Sequence, residues 1–410
     1  MAHRETAVSG PTLLAVNAGS TSIKFALMDA APPHNRVFDG AVDGIGNGPG
    51  YFHVEEGAAS FSRRFVIPDA VTAVDVLMDW LRERLPPAGP VAIGHRVVYG
   101  GNGYRAAQEV DSPMLAALFA ATSFDSEHLP QTIRLIETLR CAFPSARHFA
   151  CFDTAFHRSM PRVASMLPIP RRYYDEGVIR LGFHGLSCAF LMLELSRLAS
   201  PGAAMGKVVL AHLGGGCSMT AVNAGRSCDT SMGLTPAGGM MMACRSGDID
   251  PGLAWRLEHD HQVSAAQFNH MVNRGSGLQG VSGISGDLRM LLECEAAEPG
   301  AADALAMFCY QARKQVCAMA AAMGGVETLV FAGGAGEHLA VLRARICAGL
   351  GFLGIELDEV ANANHADVVS TERSAVTVRV MHTDEQWMIA HELHTLLDRA
   401  AGAAPPGAVS

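Results

Sequence analysis

Two glycine clusters, His212-Leu-Gly-Gly-Gly216 and Gly333-Gly-Ala-Gly-Glu337, each follow an apolar run. Glycine in such a place lets backbone N–H groups turn toward a phosphate, or lets a ligand approach the main chain closely. Either cluster alone is equally a tight turn or a helix entry. Arg96 lies in Gly94-His-Arg-Val-Val-Tyr-Gly-Gly101, Arg245 in Cys244-Arg-Ser-Gly-Asp248, and His184 in Gly182-Phe-His-Gly185. An arginine beside glycine in a polar turn has little packing use, and its fork of donors suits a carboxylate or a phosphoryl group. One such arginine by itself reads as a surface ion pair. Three cationic or polar candidates in glycine-rich settings point instead to an anion. Asp153 ends an apolar run, and Glu385 sits at a strand-to-helix turn in Thr383-Asp-Glu-Gln386. Either carboxylate suits magnesium, directly or through water, as in phosphoryl transfer; Glu385 is also a credible helix N-terminal acid. His391, Glu392 and His394 lack the H-E-x-x-H spacing and read as a solvated helix face. There is neither a G-x-x-x-x-G-K-[ST] loop nor a protein-kinase motif set, so a nucleotide would bind in another way.

These residues need strands and helices to hold them. Leu13–Val16 and Ile23–Met28 are apolar runs around a polar turn from Asn17 to Ser22. Val208–Leu213, three glycines and Cys217–Val222 repeat that plan, which suggests two related domains, each offering a loop to something anionic. Val71–Leu85, Gln131–Phe143, Ala189–Leu198, Ala302–Met323 and Val341–Gly349 carry apolar residues at helical spacing. Short apolar runs at Val91–Ile93, Val208–Leu210 and Leu329–Ala332 follow several of them, so helices alternate with strands in an α/β architecture.

At 410 residues, two or three domains are expected, and 49% hydrophobic against 17% charged residues excludes a disordered chain. A net charge of -9 argues against a non-specific nucleic-acid binder. Val208–Gly225, a long stretch without Asp, Glu, Lys or Arg, contains His212, Asn223 and four glycines and is no membrane helix. With no secretory pattern in Met1–Pro11, a cytoplasmic protein is expected, with no membrane partner. The ten cysteines include no C-x-x-C pair and read as reduced, apolar fillers.

Longer motifs then combine: Val16-Asn-Ala-Gly-Ser-Thr-Ser-Ile-Lys24, His95-Arg-Val-Val, Phe152-Asp-Thr-Ala-Phe-His157, Gly182-Phe-His-Gly185, Asp229-Thr-Ser-Met-Gly233, Arg245-Ser-Gly-Asp-Ile-Asp-Pro251, Ser282-Gly-Ile-Ser285 with Asp287-Leu-Arg289, and Gly333-Gly-Ala-Gly-Glu337. In order, and over nearly its whole length, the chain resembles the acetate kinases. The resemblance implies an α/β fold of two duplicated ribonuclease H-like (actin-like ATPase) domains with a central cleft, assembled as a homodimer. It implies reversible transfer of the ATP γ-phosphoryl to acetate, giving acetyl phosphate and ADP with Mg2+, or Mn2+ in its place. The implied domains are 1–153, with a C-terminal helix 386–400 packing on it, and 154–385 binding the nucleotide, followed by a tail 401–410.

Residue by residue, the resemblance makes Asn17 and Glu385 the metal-associated pair and Arg96 and Arg245 the cations around the carboxylate and the transferring phosphoryl. Asp153 takes the place of the catalytic acid and His184 that of the transition-state stabiliser. Lys24, His212, Leu213, Gly214, Gly215, Gly216, Asp287, Leu288, Arg289, Gly334, Ala335, Gly336, Glu337 and His338 fall at nucleotide-binding positions. Val98, Phe183 and Pro236 match the acyl pocket, and His128 a histidine beside it. Because a carboxylic acid of pKa ~4 is already ionised at neutral pH, positioning and metal coordination suit Asp153 better than proton abstraction. Closure of the two domains would exclude water, which otherwise accepts the phosphoryl. The chain departs from the family pattern at Glu127, Tyr99, Gly215, Cys244 and His338, which border the acyl group and the nucleotide. Propionate or another short acid is therefore an alternative substrate, and a non-catalytic nucleotide-responsive module is the alternative of another class.

Overall fold

The computed structural model describes residues 10–19, 21–46, 48–86, 89–123, 128–400 and 402. Glu127, the N-terminal residues 1–9 and the tail 401–410 apart from Gly402 lie outside the described residues. The chain divides into two compact units, Met1–Ala155 with Asp384–Ser410, and Phe156–Thr383.

The first unit is built on an eight-stranded sheet. Its strands are β1 (Thr12–Ala18), β2 (Ser22–Asp29), β3 (Arg36–Asp43), β4 (Pro49–Glu56), β5 (Ala59–Val66), β6 (Ala92–Val97), β7 (Gln108–Glu109) and β8 (Arg147–Phe152), in the order β5-β4-β3-β2-β1-β6-β8-β7. β1 and β2 form an antiparallel hairpin, while β1, β6 and β8 run parallel. Every residue of β1 is buried, as a central strand covered on both faces requires. The polar turn is tighter than the sequence pattern suggests. Asn17 and Ala18 pair with Lys24 and Ile23 inside the ladder, and Gly19 N closes the turn on Ser22 O at 2.8 Å.

The second unit holds β9 (Lys207–Leu213), β10 (Cys217–Asn223), β11 (Arg226–Thr230), β12 (Thr328–Ala332) and β13 (Thr377–Val380), in the order β11-β10-β9-β12-β13. Its antiparallel run of three strands followed by a parallel run of three repeats the order and sense of β3-β2-β1-β6-β8. The repeated strand-turn-strand plan is thus a repeated five-stranded core.

Helices occupy all five stretches of helical spacing, with starts one to four residues earlier. Helix Ala70–Arg84 is capped by Asp69, whose carboxylate accepts from Thr72 N, and it buries Ala73, Val74, Leu77, Met78 and Leu81 on one face. Helix Pro299–Met323 begins at a proline, which loses nothing there because a first-turn N–H has no helical partner. Helix Gly185–Leu198 buries Gly185, Leu186, Ser187 and Cys188 in its first turn, so no polar face marks its start.

The C-terminal helix, Glu385–Ala400, packs on β1 and β6 within the first unit. A Cβ on Gly94 of β6 would lie 2.2 Å from Ile389 Cγ2 and 2.6 Å from Leu393 Cδ1, so the helix seats directly on the glycine backbone. Its other face is packed, contrary to the solvated reading. The His391, His394 and Trp387 rings surround His34, with centroids 6.0, 5.2 and 5.7 Å away. His34 is itself buried, and the Trp387 indole N–H donates to Pro33 O at 2.9 Å. All ten cysteines are free thiols; five are buried, but Cys141 is exposed, so the apolar-filler reading does not extend to every one. No described helix is long and apolar enough to cross a membrane.

Gly94→Ala is expected to cost about 1–3 kcal/mol, because neither the helix nor the strand can move apart without losing its packing. Denaturant unfolding of the variant measures this, and an unchanged midpoint would show that the helix is not seated there.

Candidate active site

In the first unit, the polar groups gather where the parallel strands end. Val16 pairs with His95 and Arg96 with Cys151, so Asn17, Arg96 and Asp153 stand on neighbouring strands at one carboxyl edge. That edge is where open α/β sheets take ligands. Arg96 lies two residues beyond Gly94 and therefore faces the same side, toward the C-terminal helix whose first residue is Glu385.

The four side chains meet there. Arg96 donates to Asp153 Oδ2 through Nη2 at 2.5 Å and Nε at 3.1 Å, and through Nη1 to Asn17 Oδ1 at 3.0 Å. Asn17 Nδ2 donates to Glu385 Oε2 at 2.6 Å, and that oxygen lies 3.7 Å from Arg96 Nε. Asp153 is wholly buried, whereas the Arg96 and Glu385 side chains keep a small exposed fraction. Asp384 accepts from Trp387 N at 2.9 Å and pairs with Arg36 at 2.6 Å, which fixes the turn delivering Glu385. Val98 is buried, His128 occupies the N-cap position of helix Leu129–Ala142, and Lys24 is exposed on β2.

The second unit holds two further groups. Gly182 (φ 71) and His184 (φ 59) turn the chain into helix Gly185–Leu198 and bring the His184 ring against the His212 ring, with centroids 4.4 Å apart. A side chain at Gly182 would strike the His157 ring at 2.6 Å. His184 Nδ1 lies 3.0 Å from Ser218 Oγ. A Cβ on Gly216 would sit 3.2 Å from His184 Nε2 and 3.5 Å from Arg245 Nη1, so these two groups border one small space kept open by glycine. Arg245 closes a turn with Met242, whose N–H donates to Arg245 O, and Gly277 (φ 64) backs the turn closely. Phe183 is buried and Pro236 half-buried.

Beside this group is a pocket of about 470 Å³ lined by Gly214, Gly215, Asp287, Arg289, Gly334 and His338, among others that include Leu288 and Ala335. Asp287 caps helix Leu288–Cys294 and pairs with Arg289 at 3.0 Å. The bond to Arg289 holds the Asp287 carboxyl below its ordinary value. Besides His212, five expected nucleotide residues do not line the pocket: Lys24 lies on β2 of the first unit, Leu213 and Gly336 are buried against the core, Glu337 pairs with His382 at 3.0 Å, and Gly216 faces His184. His212 likewise contributes its ring to His184.

Together, one unit concentrates carboxylates around a guanidinium, and the other combines a glycine-lined pocket with a histidine and an arginine. The acetokinase family model matches residues 12–391. The chain belongs to the acetokinase family.

It is 38% identical over 394 residues to an acetate kinase of Rhodopseudomonas palustris (strain TIE-1), covering 94% of this chain and 98% of that one. Among solved structures it is similar to Porphyromonas gingivalis acetate kinase, with a TM-score of 0.83, 30% identity, and coverage of 95% of this chain and 100% of that one. It is similar also to a propionate kinase from Francisella tularensis subsp. tularensis SCHU S4, with a TM-score of 0.86, 30% identity, and coverage of 93% and 98%. The fold is accordingly the two-domain actin-like ATPase fold of this family.

Motif reasoning passed over Ser218, gave His157 no role within its motif, and read Glu392 as part of a solvated helix face. Ser218 stands behind His184. Glu392, one helical face along from Glu385, has a carboxyl pushed up to about 7, chiefly by burial, against a lowering contact from Cys151 and with a raising one from Asp153. His157 lies beneath Phe183: its Nε2 donates to Phe183 O at 2.9 Å, and Nδ1 pairs with Ser227 Oγ at 3.0 Å. Only the seven-residue step from Glu385 to Glu392 was visible in the sequence.

Burial pushes His157 down to about 4, with the Phe183 carbonyl opposing and Arg158 adding to the shift. Below pH 6.5 the unfolded ring takes a proton that the folded ring refuses, so its contribution to stability is complete above 6.5 and declines toward pH 4. That decline is on the order of 3 kcal/mol. Thermal unfolding from pH 7 to 4.5 should show it, and His157→Gln should lower the melting temperature at pH 7 while flattening the slope. A slope unaffected by His157→Gln would reject the assignment.

Proposed function

We propose that the protein is an acetate kinase, moving the γ-phosphoryl of ATP to a short-chain carboxylate in line and reversibly, with acetyl phosphate and ADP as products. The reading is supported by family membership and by the clustering of Arg96, Asn17, Asp153 and Glu385 at one sheet edge. The latter is the observation that carries it, because that edge presents a guanidinium among hard oxygen donors.

The chemical problem is repulsion. A carboxylate nucleophile needs no base, but each of its contacts with a phosphate charge at 4 Å costs about 4 kcal/mol at an effective dielectric of 20. Arg96 attracts the acid, and Arg245 with His184 attracts the transferring phosphoryl. Asp153 orients Arg96 and does not need to abstract a proton. The glycine-lined pocket takes the nucleotide, with Asp287 and Arg289 at its wall.

The Asn17 amide and the Glu385 carboxylate suit a hard divalent cation. Among the described residues, no group of three or more His, Cys, Asp and Glu is arranged to hold an ion, so a metal here would be shared with phosphate and water, as Mg2+ usually is. Mg2+, or Mn2+ in its place, would neutralise phosphate charge. Val98, Phe183 and Pro236 give the acyl group its apolar surroundings, with His128 beside them, and Lys24 serves the nucleotide. The proposed protein is cytoplasmic and homodimeric. Propionate is the second reading, favoured by the similarity to a propionate kinase.

A coupled ADP assay with ATP, magnesium and acids of increasing length tests the proposal. Acyl phosphate should form with acetate or propionate, and ATP hydrolysis alone would sink it. Arg96→Ala and Arg245→Ala should each lose about 100-fold or more in kcat/KM; Arg245→Ala should keep the melting temperature, whereas Arg96→Ala should also lower it, because the buried Asp153 carboxylate then loses the guanidinium. Near-normal turnover in either would move the site elsewhere.

A further inference from the structure

His184 has two ring nitrogens with different surroundings. Nε2 borders the space over Gly216 that it shares with Arg245 Nη1. Nδ1 meets Ser218 Oγ at 3.0 Å. A histidine that stabilises a phosphoryl group must offer a proton from the nitrogen facing it, and the partner of the other nitrogen decides where the single proton of the uncharged ring resides.

We infer that Ser218 is a positioning residue: its hydroxyl donates to His184 Nδ1 and so holds the ring in the tautomer whose Nε2–H faces the transferring phosphoryl. The inference rests on the role proposed above for His184. Ser218 is fully buried in β10, and among the described residues its hydroxyl has no partner other than His184 Nδ1. A buried hydroxyl proton without an acceptor is costly. With the ring proton on Nδ1, or with both nitrogens protonated, Ser218 would have nowhere to direct its own proton. With Nδ1 bare, the serine donates, the imidazole accepts, and Nε2 carries the remaining proton. The backbone supports this geometry. Ser218 is the cross-strand partner of His212, whose ring stacks on His184, so the β9-β10 ladder places both the stacking ring and the hydroxyl.

The test is nitrogen-15 NMR of the full chain labelled at histidine, with the His184 signals identified by their loss in His184→Gln. At a pH where the ring is uncharged, wild-type His184 should carry its proton on Nε2. Ser218→Ala should move the ring toward the Nδ1-protonated form and lower kcat by about 10- to 100-fold, with KM for ATP and for the acid within about twofold. Ser218→Thr, which restores a hydroxyl, should recover both the signal and the rate. A wild-type ring protonated on Nδ1 overturns the inference without any variant, as does an unmoved tautomer in Ser218→Ala. A moved tautomer with unchanged kcat also overturns it; His184→Gln then locates the fault. If that variant keeps full activity, the role given to His184 has failed; if it is inactive, only the role given to Ser218 has.

Discussion

Asp153 is a carboxylate wholly removed from solvent, and the first unit is organised around giving it a cation. Burying such a charge costs several kcal/mol unless a well-placed partner compensates. Arg96 provides two hydrogen bonds to one carboxylate oxygen and cannot be deprotonated. For this pairing to form, β1, β6 and β8 must end level with one another. A slip of one residue in β6 would turn Arg96 to the opposite face, away from Asp153. The same geometry requires Gly94, because any side chain there would lift the helix that brings Glu385 to the arginine. Sheet register, helix docking and charge placement are therefore one constraint.

The duplicated core uses the same strands for two kinds of work. In the first unit, the strand edge carries charged side chains bound to one another. In the second, the corresponding hairpin turn is glycine, and the polar work passes to groups behind it: His184 on a left-handed helix entry, Ser218 on β10 and Arg245 on a glycine-backed turn. Under the proposed function, with the acid at the first unit and the nucleotide at the second, this division has a physical basis. A carboxylic acid is small and needs a directed cation, whereas a polyphosphate is extended and benefits from backbone donors that only glycine exposes closely.

The parts of this arrangement that were legible in the sequence are those where physics narrows the choice of residue. Glycine clusters after apolar runs and arginines beside glycines stand out because few other roles suit them, and the repeated hairpins showed the duplicated fold. Ser218 did not stand out, since one small residue in Cys217-Ser-Met-Thr-Ala-Val222 looks like any core position of a strand. His391 and His394 were misread because their partner, His34, comes from the β2–β3 turn, and no spacing along one helix reveals a ring from elsewhere. Helix starts were placed late wherever the first turn was buried all round or opened on proline.

The preference for one acid over another belongs to a different class of interaction from phosphoryl transfer. In the proposed mechanism Arg96, Arg245 and the carboxylates act on charges that acetate and propionate share, so they cannot separate the two acids. One methylene is worth only about 1–3 kcal/mol in an apolar pocket, so the proposed acyl residues Val98 and Phe183, each buried in its own unit, are of the apolar type that such a difference would act on. The chain is similar to structures of both an acetate and a propionate kinase, so overall fold similarity does not separate the two acids either. If the proposed acyl residues are the right ones, selection for a longer acid should accordingly appear first at Val98, Phe183 and Pro236, with Arg96 and Asp153 unchanged.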